Sequence, residues 1–129
     1  MIPQIEFMES LVQAAEQNCD LDSHISLKEL SAENSLYAEL GTGFASDTYY
    51  NKSTVKTFPV LILSRNADQK RCLEQLADIC NYFQRIKEYP QGSSFSWLDT
   101  EVAKEPSKIG RDGDGTYHYS CILNCKIYY

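Results

Sequence analysis

Thr116-Tyr-His-Tyr-Ser-Cys-Ile-Leu-Asn-Cys-Lys-Ile-Tyr-Tyr129 is the stretch on which the fold turns. Tyr117, Tyr119, Cys121, Leu123, Cys125, Ile127 and Tyr129 recur at every second position, with Thr116, His118, Ser120, Asn124 and Lys126 between them. Alternate side chains of an extended chain point to opposite faces, so this is a long terminal strand with one apolar side. An apolar side needs a cover, and the chain upstream supplies two amphipathic stripes that can serve.

The nearer stripe is Cys72, Leu73, Leu76, Ile79, Cys80, Phe83 and Ile86. Three- and four-residue steps predict a helix over 67–88, started by Asn66-Ala-Asp-Gln69 as a capping pair and stopped at Tyr89-Pro90. The other is Ile5, Met8, Leu11, Val12 and Ala15, a helix over 3–17 with Pro3 in its first turn. Between them, Thr54-Val-Lys-Thr-Phe58 alternates, and Val60-Leu-Ile-Leu63 is apolar at each position, as in a central strand covered on both faces. Ser35–Leu40 reads as a strand, Gly41-Thr-Gly43 as a turn or bulge, and Phe44–Tyr50 as the returning partner of that strand. Residues 19–34 carry no pattern beyond a short turn near Ser26–Leu30. Ser94–Leu98 and Glu101–Lys104 read as strand pieces, followed by a polar loop with Pro106 and Gly110 and a turn at Asp112-Gly-Asp-Gly115. The expected fold class is α+β, with two helices packed on one face of a mainly antiparallel sheet, in a single domain over 1–129.

Composition fits one ordinary globular domain: 129 residues, 43% hydrophobic and 23% charged, enough to bury a core without staples. Charge is uneven along it. Residues 1–50 hold nine acids (Glu6, Glu9, Glu16, Asp20, Asp22, Glu29, Glu33, Glu39, Asp47) against Lys28, a balance of −8; the remainder holds eleven bases and nine acids, a balance of +2. With a pI near 4.8 and no basic cluster, tight nucleic-acid binding is not expected. The halves could instead complement one another between like subunits. The amino terminus has no basic n-region and reads as a mature cytosolic start, and the longest apolar run is too short to span a bilayer.

Five cysteines without an export signal imply free thiols in a reducing compartment. Cys72 with Cys80, and Cys121 with Cys125, share faces of their elements, which suits buried small hydrophobes better than metal ligands, since neither a C-x-x-C spacing nor a paired histidine is present. His24 and His118 have no adjacent nucleophile. Asp112-Gly-Asp-Gly115 begins like a calcium loop, but Tyr117 and Leu123 occupy the positions that need Gly and Glu. Gly41-Thr-Gly43 lacks the rest of a phosphate loop. No catalytic, cofactor-binding or metal-ligating residue is assigned, and no cofactor is expected. Nine tyrosines, including Tyr49-Tyr50 and Tyr128-Tyr129, put aromatics on both faces of strands, where exposed ones would favour protein contacts and a sheet buried on both faces would explain them equally.

The order Leu40-Gly-Thr-Gly-Phe44, Thr48-Tyr49, Pro59-Val-Leu-Ile-Leu-Ser64, Asn81-Tyr-Phe83, Tyr89-Pro90, Pro106, Ile109-Gly110 and Tyr117-His-Tyr-Ser120 resembles tailed-phage minor capsid proteins of siphophages and prophages, which are similar to tail terminators and head-to-tail joining proteins. The resemblance implies a structural virion protein, assembled in the bacterial host cytoplasm. It would form a hexameric ring that terminates the tail tube and joins it to the head. Its partners would be other copies of itself, the tail-tube protein and a head-completion or connector protein; DNA would pass through without specific binding, and no membrane is involved. A head-completion stopper is the near alternative. A thiol hydrolase would need an accessible cysteine activated near His24 or His118, and a ligand-binding regulatory module would need a concave pocket.

Overall fold

The computed structural model describes residues 2–28, 34–41, 43–48, 54–111, 113 and 115–129. Two helices, α1 (Pro3–Asn18) and α2 (Gln69–Arg85), accompany six strands: β1 (Ile25–Ser26), β2 (Ser35–Leu40), β3 (Phe44–Thr48), β4 (Thr54–Asn66), β5 (Ser96–Arg111) and β6 (Tyr117–Tyr128). The sheet runs β1-β2-β4-β6-β5, antiparallel except for the β1–β2 pair, with β3 beside the other end of β4. This is the expected α+β architecture.

The long ladder between β4 and β6, from Val55–Tyr128 to Asn66–Tyr117, is the spine. Its helix-covered face carries Phe58, Val60 and Ile62 from β4 and Tyr119, Cys121, Leu123, Cys125 and Ile127 from β6, all buried. Against them pack Phe7, Met8, Leu11, Val12 and Ala15 from α1 and Cys72, Leu76, Ile79, Cys80 and Phe83 from α2. Trp97 on β5 is the aromatic hub: its ring lies 4.9 Å from Phe7, 5.3 Å from Phe83 and 5.0 Å from Tyr89. Its indole N–H donates to Thr100 Oγ1 at 2.9 Å, so its one polar atom is satisfied inside the core.

Several expectations need correction. The apolar run of β4 is covered on one face only: Val60 and Ile62 are buried, whereas Leu61 and Leu63 are half-buried on the face without helices. Residues 54–58 and 60–63 form one strand through Pro59. The ladder with β3 ends at Thr57 and that with β2 begins at Val60, so proline sits in the gap between them, where a missing N–H is tolerated.

For the same reason β3 does not return along β2. Both lie on the same edge of β4, one after the other, and the link between them is held tight because Gly41 N–H donates to Pro59 O at 2.7 Å. Tyr49 and Tyr50, the expected end of β3, lie outside the described residues.

The α2 N-cap is Asp68, which accepts from the N–H groups of Lys70 and Arg71, while Asn66 ends β4 and accepts from Asp68 N–H instead. The helix stops at Arg85, three residues before its expected end at 88. Tyr89 stacks on Trp97 and its hydroxyl donates to Phe83 O at 3.0 Å, which draws the chain off the helix axis. The supposed polar loop around Pro106 is strand: β5 runs unbroken to Arg111, its register with β6 shifting at four places. An outermost strand accommodates proline and bulges because only one of its edges must pair.

β1 carried no sequence signal and is parallel to β2. Its position is set by side chains. Arg71 donates to both carboxylate oxygens of Asp22 at 3.0 Å and to Asp20 O at 2.8 Å. Gln75 accepts from Asp22 N–H, and Glu16 accepts from Ile25 N–H.

Candidate assembly interface

The residues singled out for chemistry turn out to be structural parts. Cys72, Cys80, Cys121 and Cys125 are buried between α2 and β6, and Cys19 is half-buried at the end of α1. Cys72 donates to Tyr117 O, and Cys80 and Cys121 share a hydrogen bond that, with burial, pushes the Cys121 thiol up. Burial raises Cys125 to about 12, and burial with the neighbouring Asp78 carboxylate raises Cys19 to about 12. The thiols of Cys19, Cys121 and Cys125 stay protonated at neutral pH and are poor nucleophiles, while the hydrogen bond with Cys121 lowers the Cys80 thiol, which is itself buried. His24 Nδ1 lies 2.7 Å from Glu16 Oε2, and His118 lies on the face of β6 opposite Cys121 and Cys125. No cysteine–histidine couple forms from these positions.

The glycine motifs are explained by packing. A Cβ on Gly41 would meet Pro59 at 2.9 Å, and one on Gly43 would strike the Phe58 ring. At the second turn, Asp112 and Asp114 lie outside the described residues, and Gly115 has φ +91°, a conformation that favours glycine. Among the described residues no group of three or more His, Cys, Asp or Glu could hold a metal ion. Among the described residues no helix is long and apolar enough to cross a membrane.

None of the described tyrosines is among the exposed large hydrophobics. Of the seven described, Tyr119 is buried and the other six are partly buried. Tyr129 accepts from Gln4 Nε2 at 3.1 Å and stacks near Phe58, with Lys56 Nζ 5.2 Å from its ring. The exposed large hydrophobics are aliphatic: Ile2, Ile5, Leu27, Leu73, Leu98 and Ile109.

Five of those six lie toward opposite edges of the sheet, Leu98 and Ile109 near the two ends of β5. Ile5 on the first turn of α1 and Leu27 just after β1 line an open groove of about 320 Å³ with Met8, Tyr37, Glu39 and Leu40, and Ile2 is exposed at the N-cap of α1. The α1 end of the groove is anchored by Glu6, which accepts from Ser94 N–H, Ser94 Oγ and Ser93 Oγ, each at 2.9 Å. The Ser94 N–H, first among these, holds the Glu6 carboxyl below its ordinary range. Glu9, one helical turn from Ile5, and Glu39 stand exposed at this side. On the other side, β5 exposes Leu98 and Ile109, each at a register shift. Lys108 and Arg111 flank Ile109, their cationic groups 5.0 Å and 5.6 Å from the centre of the Tyr117 ring.

The groove is thus apolar beside Glu9 and Glu39, with Lys28 next to Leu27, and the Ile109 end of β5 is apolar beside Lys108 and Arg111, while Asp99, Glu101 and Glu105 stand exposed farther along β5. Two unlike, complementary sides are what a chain needs to contact copies of itself in a cycle. Nothing in this arrangement was visible as a motif; only the charge asymmetry along the sequence pointed toward it.

Among curated proteins no match to the chain is found. The family description "Bacteriophage tail terminator protein" fits residues 14–129, which take in the end of α1, all six strands and α2. That span covers nearly the whole chain and agrees with the resemblance read from the ordered motifs, so the chain belongs to the bacteriophage tail terminator family, a structural component of the phage tail.

Proposed function

We propose that the chain, acting as one domain over 1–129, forms a ring of six at the head-proximal end of the tail tube. There it stops tube growth and offers a docking surface to the head-completion protein, while DNA passes through the ring. The observation that carries this reading is the family match over 14–129, whose description names termination of the tail. Two unlike edges, an apolar groove beside Glu9 and Glu39 and an apolar Ile109 beside Lys108 and Arg111, support the cyclic arrangement, because heterologous contacts close into rings. The assignment needs no cofactor and no catalytic residue: capping a tube is a matter of complementary surface, and its specificity comes from shape and charge.

Free subunits would associate weakly, since exposed charge pairs each contribute little, about 0–1 kcal/mol. The end of a tube supplies a template that raises their effective concentration. The test is a growth-arrest experiment. Tail tubes elongating from purified tube protein are given this chain, and their length distribution is followed by electron microscopy. Arrest, with the labelled chain at one end only, is expected; elongation at the untreated rate would refute the proposal.

A further inference from the structure

We propose that the β5 edge around Ile109 of one copy seats in the acid-rimmed groove between α1 and β2 of the next copy; this rests on the ring reading above and names its contact.

Ile109 is 60% exposed, more than any other large hydrophobic among the described residues, and Ile5 is 51% and Leu27 39% exposed around the groove. In the sheet order the two places belong to opposite edges, β5 at one side and β1–β2 at the other. β5 and β2 are three strand spacings apart, about 14 Å, so one chain cannot bring its own Ile109 to its own groove. A second copy can.

Charge selects the pairing and its direction. Lys108 and Arg111 flank Ile109, and the Tyr117 ring gathers both cationic groups to one place. At the groove, Glu39 is part of the wall and Glu9 lies one turn along α1 from Ile5, with Lys28 as the only base in the first fifty residues. Two β5 edges meeting at their Ile109 ends would set Lys108 and Arg111 against their own kind, although Asp99, Glu101 and Glu105 are exposed farther along the strand, and a groove meeting a groove would oppose glutamates. The heterologous pairing sets the local charges of the Ile109 end against Glu39 and Glu9, and it is the pairing that propagates around a cycle.

The contact is made by side chains rather than by adding a strand. Pro106, Lys104, Lys108 and the register shifts at Val102/Lys104, Lys104/Ser107 and Lys108/Gly110 blunt the outer edge of β5 against backbone pairing. The last of those shifts contains Ile109 and turns it out from the ladder, so the bulge that blocks strand addition also presents the apolar residue.

The test is complementation of a phage lacking the gene, using full-length chains: wild type, Lys108→Glu with Arg111→Glu, Glu9→Lys with Glu39→Lys, the chain with all four changes, Ile109→Asp, and Leu73→Asp as a control away from both edges. Tails are purified and amine cross-linked, and the ladder of multimers is read on a denaturing gel. Circular dichroism confirms that each variant is folded. Each paired reversal and Ile109→Asp should reduce the multimer ladder by about a hundredfold, the chain with four changes should regain it, and Leu73→Asp should match wild type. Reversals or Ile109→Asp that assemble as wild type does, or a four-change chain as defective as either pair, would overturn this contact while the wild-type ladder keeps the ring reading standing. A wild-type chain that gives no ladder on tails would bring down both.

Discussion

Leu76→Ala tests the packing of α2 on the sheet with an internal control three residues away. Leu76 is fully buried, and Leu73, on the same helix, is 42% exposed. Truncation of either to alanine removes the same three carbons. At Leu76 the lost transfer free energy is about 2.4 kcal/mol at ~0.8 kcal/mol per carbon, and the cavity left among close-packed neighbours brings the loss to about 3–4 kcal/mol. At Leu73 solvent replaces part of the lost contact, and the expected loss is below about 1 kcal/mol. Helix propensity changes by the same small amount in both. With a urea slope of about 2 kcal/mol per molar, the midpoint for Leu76→Ala should fall by about 1.5–2 M, and that for Leu73→Ala by less than about 0.5 M. Urea titrations followed by tryptophan fluorescence suffice, since Trp97 sits in the core near Phe83. Equal shifts for the two variants, or a larger one for Leu73→Ala, would refute the orientation of the helix.

Three further outcomes follow from particular groups. Cys19 and Cys125 are raised from 9.0 to about 12 in the folded chain, so the native state holds protons that the unfolded chain releases; stability is full below about pH 9 and falls as pH rises toward 12, and Cys125→Ala should flatten that decline in urea midpoints. Gly43→Ala places a methyl against the Phe58 ring and should cost about 1–3 kcal/mol, measured by thermal unfolding, whereas Gly110→Ala, whose Cβ meets nothing within 4 Å, should change little. Gln91 both donates to Trp97 O at 2.9 Å and accepts from Trp97 N–H at 3.1 Å; Gln91→Ala should cost about 1–3 kcal/mol and speed amide exchange at Trp97.

The elements legible in the sequence are those whose pattern is local. Periodicity alone locates α1, the body of α2, β2 and the whole of β6, because the burial of each is written in its own spacing. What was missed depends on partners distant along the chain. Residues 44–48 read as a strand, but nothing in them says that they pair with the first half of β4 rather than with β2. β1 has two residues and owes its place to Arg71, Gln75 and Glu16. Pro106 looked like a loop residue because proline is excluded from central strands, but β5 is outermost and bulged. The apolar character of Val60–Leu63 suggested two covered faces, and the structure shows one.

The interface was less legible than the fold. Sequence showed the charge imbalance but directed attention to tyrosines, the most abundant aromatics, of which the seven described are buried or partly buried. The exposed aliphatics at Ile5, Leu27 and Ile109 could not be told from core residues by type. Ile109 is exposed because a bulge rotates it out of register, a property of the β5–β6 pairing and not of the residue.

The most direct measurement of the central claim is electron microscopy of tails made by a phage with the gene intact and by the same phage with it deleted. The account predicts tails of one length, each bearing a ring at its head-proximal end, when the gene is present. Without the gene it predicts overlong tubes that fail to join heads. Capped tails of normal, uniform length from the deletion phage would contradict it.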